Sequence, residues 1–167
     1  MTVLPEEIRN ARRKAMQLLE HMDRTEKTLS DRLRQAGFSE RAAADAMAYV
    51  KSYGYIDDSR YARTYIACRM ETKSRQKLIQ ELQQKGVDRQ TAAEAWEEEA
   101  ALNQPDEREI LRRNIEKKYE ANTELNEKEM RRLQGYLVRR GFQFHDISSV
   151  LEEMNIRISH ETRFCED

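Results

Sequence analysis

Leucine and glycine recur along this chain in a fixed register. The segments LSDRLRQAGF (29–38), LIQELQQKGV (78–87) and LQGYLVRRGF (133–142) share one pattern. Counted from Gly37, Gly86 and Gly141, leucine stands eight residues before (Leu29, Leu78, Leu133) and four before (Leu33, Leu82, Leu137), and an apolar residue follows at once (Phe38, Val87, Phe142). The register continues past the glycine, with Ala43, Ala92 and Ile147 six residues on, Ala46, Ala95 and Val150 nine on, and Met47, Trp96 and Leu151 ten on. Spacings of three and four put these positions on one face of a helix, so two amphipathic helices are predicted to flank each glycine. The glycine fits the position just past a helix end, where a left-handed residue costs a side chain with a Cβ about 1 kcal/mol or more.

Ser39 and Asp88 are predicted to cap the helix after the glycine, and Gln143 to cap poorly, because a short side-chain oxygen reaches the free N–H groups of a first turn. Further helical stretches precede each pair, over residues 6–22, 60–72 and 107–121. Pro5 and Pro105 suit a first helical turn, while Asp23 with Glu26 and Asp106 with Glu109 have capping-box spacing. The expected architecture is all-α, an elongated array of three tandem three-helix repeats at 1–57, 58–104 and 105–157, followed by a polar tail at 158–167. The glycines are spaced by 49 and then 55 residues, which places extra chain in the third repeat around residues 120–126.

Composition agrees with small local cores. Apolar residues are 38% of the 167 and charged residues 37%, against a usual ~45–50% and about 25%. The net charge of −1 gives no global attraction to nucleic acid or to a membrane, so a basic site has to be local. No stretch approaches the apolar length of a membrane span, and residues 1–13 lack the apolar run of a signal peptide. A cytoplasmic protein without membrane association is expected. Cys68 and Cys165 lie too far apart in unlike surroundings to suggest a disulfide framework.

Catalysis finds little support. His21, His145 and His160 share no metal-ligand spacing, neither cysteine has a neighbouring histidine, and there is no glycine-rich phosphate loop. The carboxylates at Asp57 and Asp58 and at 97–99 read as helix capping and solvation. No catalytic residue, metal site or cofactor is therefore expected, and an enzyme is the least favoured class.

Charge is nonetheless uneven. Between Arg60 and Lys85 stand Arg60, Arg63, Arg69, Lys73, Arg75, Lys77 and Lys85 against Glu71 and Glu81. Arg131, Arg132, Arg139 and Arg140 form a second cluster. Ordinary solvated helix faces explain such charges, and they become a binding surface only where several share one face. Tyr61, Tyr65 and Cys68 fall on one helical face with Ala62 and Ile66 beside them, which reads as a buried stripe rather than a base-stacking platform.

The stretch GYIDDSRYARTYIACRM (54–70) followed by RQKLIQELQQKGV (75–87) resembles the hallmark region of RecX proteins, regulators of the bacterial RecA recombinase. The matching positions are Gly54, Tyr55, Ile56, Asp57, Asp58, Arg60, Tyr61 and Ala62, then Ile79, Glu81, Leu82, Lys85 and Gly86. The resemblance implies an all-α monomer that binds the RecA filament on DNA, and inhibits filament extension, ATP hydrolysis, strand exchange and coprotease activity. Such a protein contacts DNA within the filament, and the net acidity, the long third repeat and the acidic end at 161–167 are expected to leave this chain only weak DNA affinity of its own. Gly54, Tyr55, Ile56, Leu82 and Gly86 suit joints and packing. Arg60, Arg69, Lys73, Arg75 and Lys77, and secondarily Arg131, Arg132, Arg139 and Arg140, are the electrostatic candidates for partner or DNA contact. A direct DNA-binding protein that competes for recombination substrates would use the same clusters, and a helical adaptor for an unrelated partner is compatible with the repeat alone.

Overall fold

In a computed structural model of the chain, which describes residues 5–159, each repeat is a set of three helices. The first holds α1 (Pro5–His21), α2 (Glu26–Gln35) and α3 (Glu40–Ser52). The second holds α4 (Asp58–Arg69), α5 (Arg75–Gln84) and α6 (Arg89–Asn103). The third holds α7 (Glu107–Glu116), α8 (Glu127–Arg139) and α9 (Phe144–Glu153), with short strands β1 (Glu124–Leu125) and β2 (Arg157–Ile158).

The chain divides into two compact units. Unit 1 is Met1–Cys68 with Ile79–Leu102, and unit 2 is Arg69–Leu78 with Asn103–Asp167. The second repeat therefore contributes to both, its 69–78 segment belonging with the third repeat.

The repeat register is the core register. All six leucines of the pattern are buried, as are the apolar positions after each glycine, except that Phe38 and Trp96 are half-buried. In unit 1 one cluster joins Ala11 and Ala15 of α1, Leu29 and Leu33 of α2, and Ala42, Ala43, Ala46, Met47 and Val50 of α3. Alanine at so many facing positions keeps this core small. In unit 2 the corresponding α9 positions are Ile147, Val150 and Leu151, which pack with Ile110, Leu111 and Ile115 of α7 and Met130, Leu133 and Leu137 of α8.

Local capping follows the sequence at most helix starts. Ser39 accepts the Ala42 N–H at 3.2 Å, Asp88 accepts from Gln90 and Thr91 at 3.1 and 3.4 Å, and Gln143 makes no side-chain cap. Two expectations change. Thr25, not Asp23, caps α2, because its buried hydroxyl also reaches a second repeat. Pro105 precedes the cap Asp106 and stands outside α7.

The expected stripe on α4 also shifts by one helical position. Ala62 and Ile66 are buried, while Tyr61 and Tyr65 are half-buried and Cys68 is exposed. The tyrosine rings stack on each other 6.2 Å apart, and the Tyr65 hydroxyl donates to Glu81 at 2.7 Å, so they occupy the rim where a phenol keeps a polar partner.

The extra chain of the third repeat lies between α7 and α8, where residues 117–126 stand against 22–25 and 70–74 in the other repeats. It forms β1, which pairs in parallel with β2 through Glu124 opposite Arg157 and Leu125 opposite Ile158. The strand β2 thus draws Ile158 of the expected polar tail into structure. The acidic end at 161–167, with Cys165 and His160, lies outside the described residues.

Candidate functional site

Helix α2 and helix α5 begin in the same way, and that shared beginning sets the geometry of both basic segments. In unit 1 the Thr25 hydroxyl accepts the Thr28 N–H at 3.2 Å and donates to the Lys85 carbonyl at 2.6 Å. In unit 2 the Ser74 hydroxyl accepts the Lys77 N–H at 3.2 Å and donates to the Gly141 carbonyl at 2.7 Å. Both residues are buried, and each hydroxyl caps its own helix while gripping the glycine turn of the next repeat. A carboxylate adds a second grip, since Asp58 accepts the Glu26 N–H at 3.0 Å and Glu107 accepts the Arg75 N–H at 2.8 Å, in each case 32 residues apart.

Gly86 and Gly141 complete these joints. Each has a φ near +90°, and a Cβ on Gly86 would collide with the Lys27 side chain, on Gly141 with Ser74 and Lys77. Gly37 has the same conformation with open space around it.

The motif residues divide accordingly. Ile56, Ile79, Leu82 and Ala62 are buried. Asp57 caps α4 by accepting the Arg60 N–H at 3.1 Å, which frees Asp58 for α2. Tyr55 was expected to pack, yet it is exposed, stacked on the exposed Tyr53 ring at 5.7 Å, and Tyr53 in turn meets Tyr49 edge-on at 5.1 Å. Glu81 and Lys85 both address Tyr65, the first through its hydroxyl and the second over its ring at 5.7 Å.

Burial pushes the Asp58 carboxyl above its usual 3.8, opposed by the Glu26 N–H bond and reinforced by the Glu26 charge. The folded chain therefore holds this proton more readily than the unfolded chain, and the stability linked to Asp58 falls as pH rises through and above the ordinary aspartate range. Asp58→Asn keeps an oxygen for the Glu26 N–H and removes the titration. Its melting temperature relative to the parent is expected to improve between about pH 3 and pH 6; a difference that stays flat would mean that Asp58 is not perturbed by the joint.

The partner candidates are less uniform than their charges suggest. In unit 1 the Arg60 guanidinium donates to the carbonyls of Gly54 at 3.2 Å and Tyr55 at 3.5 Å, which ties it to the turn after α3. In unit 2 the two sequence clusters meet. The Ser74 N–H donates to the Arg140 carbonyl at 3.1 Å, and the Arg140 guanidinium donates to the Thr72 carbonyl at 3.2 Å. Segment 72–77, with Lys73, Arg75 and Lys77, is thereby locked to the α8 end that carries Arg139 and Arg140. Arg69, the last residue of α4, is half-buried three residues before that segment.

Arg132, Tyr136, Arg139 and Arg140 recur at helical spacing on α8. Arg131 turns aside and pairs with Glu127 at 3.4 Å, an exposed pair of small energetic weight. Arg140 and Lys118 lie over the Tyr136 ring at 4.7 and 5.1 Å. A cavity of about 370 Å³ opens there, lined by Lys118, Tyr119, Arg132, Leu133, Tyr136 and Arg139. Lys118, Tyr119 and Tyr136 were not singled out from the sequence. The tyrosine at 136 was visible four residues after Arg132, whereas Lys118 and Tyr119 reach the site from beyond the end of α7, a contact that spacing cannot show.

Among the described residues no group of three or more histidine, cysteine or acidic side chains is placed to hold a metal ion, and no helix is long and apolar enough to cross a membrane. The fold and the site define a protein of tandem three-helix repeats whose assembled chemistry is cationic. Comparison with known proteins then gives the family. The first, second and third three-helix domains of RecX match residues 11–49, 57–95 and 106–151. Regulatory protein RecX of Caldanaerobacter subterraneus subsp. tengcongensis is 31% identical over 146 residues, covering 87% of this chain and 71% of that protein. Regulatory protein RecX of Bacillus licheniformis is 28% identical over 151 residues, covering 89% of this chain and 56% of the longer relative. A crystal structure of RecX from Lactobacillus salivarius shares the fold, with a TM-score of 0.68 at 23% identity over 91% of this chain and 99% of that one. The chain belongs to the RecX family, and its role is that of a RecX-type regulatory protein.

Proposed function

We propose that this chain acts without chemistry of its own, by binding the filament that RecA forms on DNA and restraining it. The working parts in this reading are the repeats 1–57, 58–104 and 105–157, carried on the chain as a monomer in the cytoplasm. The observation that supports it is the locking of residues 72–77 to Arg140 and Gly141, which gathers Lys73, Arg75 and Lys77 with Arg139 and Arg140 from segments 67 residues apart. Several cations held on one ordered surface steer and orient a docking partner better than the same charges on separate helices. A protein docked on the assembled filament excludes a second duplex or a cleavable repressor from the groove, and one docked at a growing end blocks subunit addition. Both effects favour one state of the partner by differential binding, and reduced ATP hydrolysis, strand exchange and coprotease activity follow.

Titration into the cognate recombinase preassembled on single-stranded DNA, with ATP hydrolysis as readout, tests this directly. Hydrolysis is expected to fall at substoichiometric protein. The variant with Arg69, Lys73, Arg75 and Lys77 all changed to Glu is expected to lose that effect while keeping its helicity by circular dichroism. Full inhibition by the folded variant would remove this surface from the mechanism, and no change in hydrolysis with the parent protein at saturation would remove the recombinase as partner.

A further inference from the structure

The cavity on the third repeat shares Arg139 with the docking surface and adds features that docking does not use. Lys118, Arg132 and Arg139 converge on it from the end of α7 and from α8, and among the described residues none of the three is paired with a carboxylate. Like charges held together without a counter-charge repel, and an anion placed among them removes that repulsion. The remaining lining is Tyr119, Tyr136 and Leu133, so the cations stand beside an apolar and aromatic wall rather than beside carboxylates. The volume of about 370 Å³ sits at the lower end of the about 300–1,000 Å³ typical of small-molecule sites.

A second feature of α8 points to the same place. Gly135 stands inside the helix, where glycine costs about 0.5–1 kcal/mol relative to alanine. The space its Cβ would occupy is approached to 3.2 Å by a terminal nitrogen of Arg139. The missing side chain leaves room for that guanidinium to lie back along the helix.

We propose that this cavity seats one nucleotide unit of a single-stranded nucleic acid, with Lys118, Arg132 and Arg139 on its phosphate and the base against Tyr119 and Leu133. Tyr136 already carries Lys118 and Arg140 over its ring, and so holds the cations in place rather than stacking. An acidic peptide would satisfy the cations and leave the Tyr119 wall unused, while a duplex presents phosphates with its bases inward. The inference deepens the filament reading, on which its biological sense rests, by assigning a nucleotide contact to the third repeat apart from the charges at 69–77. The shared chemistry of a phosphate with an attached base is also offered by a free nucleotide.

The test is fluorescence anisotropy of the full chain with a labelled strand of about a dozen thymidylates, over a series of salt concentrations. The variant K118Q/R132Q/R139Q is expected to bind at least tenfold more weakly, with a salt slope lower by roughly 0.7, the value for one phosphate contact on a single strand. The surface control R9Q/R13Q/R41Q, which removes equal charge elsewhere, is expected to bind like the parent. Thymidine triphosphate that fails to displace the strand at comparable concentration identifies the strand as ligand, and efficient displacement identifies free nucleotide; both agree with the seat. A strand bearing 5-bromodeoxyuridine, photocrosslinked to the unmodified protein, is expected to label peptides within residues 117–140. The proposal is overturned by absent strand binding, by equal binding of the cavity variant, by polyglutamate or a duplex competing as well as the strand, or by crosslinks elsewhere. Strand binding lost in the cavity variant without any effect of the parent on recombinase hydrolysis would leave the seat standing and remove the filament reading, and the converse result would do the opposite.

Discussion

Alanine at Gly86 or Gly141 is expected to destabilise the chain by roughly 2–5 kcal/mol, and alanine at Gly37 by only about 1–2 kcal/mol. The three glycines hold the same backbone conformation, with φ of 90°, 92° and 90°, so the strain of forcing a Cβ into the left-handed region is common to all. Their surroundings differ. A Cβ on Gly37 meets nothing within 4 Å, whereas one on Gly86 meets the Lys27 side chain from its Cβ outward, and one on Gly141 meets Ser74 Oγ and Lys77 Cβ, with the Lys77 Cα at 3.3 Å. A long side chain can swing its end away, but a Cβ or Cα moves only with its backbone. The added methyl therefore pushes the start of α2 or α5 off the turn. Urea denaturation of the three variants checks this, with the midpoint carrying the result if the slope is unchanged. Equal losses at all three positions would mean that the glycines serve only their own helix ends and that the repeats are not held by this close approach.

That contrast marks where the sequence stops being legible. The leucine and glycine register was readable because each mark is local: period and φ belong to one helix and its end. So were the caps at Ser39, Asp88 and Asp106, each bonding within three residues of itself. The α4 stripe was read one position off because Tyr61 and Ala62 are neighbours about 100° apart on a helix, and which of them turns inward depends on what packs there. The same ambiguity hid the division of Arg131 from Arg132. Counting charges in a window finds segments without their faces, and no count relates Lys73 to Arg140. The cavity at Lys118 and Tyr119 depends on chain inserted between α7 and α8, whose pairing of Leu125 with Ile158 is nonlocal.

Ser74 is the sharpest case, because its local and nonlocal roles can be separated by substitution. As a cap it needs only an acceptor for the Lys77 N–H, which Asp supplies as well as Ser. As a link it needs a proton to give to the Gly141 carbonyl, which an ionised Asp lacks. Ser74→Ala removes both and leaves a buried N–H and a carbonyl without their partner, a loss expected to cost about 2–4 kcal/mol when the cap and the unsatisfied groups are taken together. Ser74→Asp keeps the cap, yet it turns a carboxylate toward a carbonyl in a buried position, so it is expected to be no better than Ala despite being the stronger cap. Thr25 gives the parallel experiment in unit 1, where Thr25→Ser retains both bonds and is expected to stay within about 1 kcal/mol of the parent, while Thr25→Asp behaves like Ser74→Asp. Thermal unfolding near neutral pH ranks the variants. Restoration of stability by Asp at either position would show that the hydroxyl acts only as a helix cap, and that the repeats meet through packing alone.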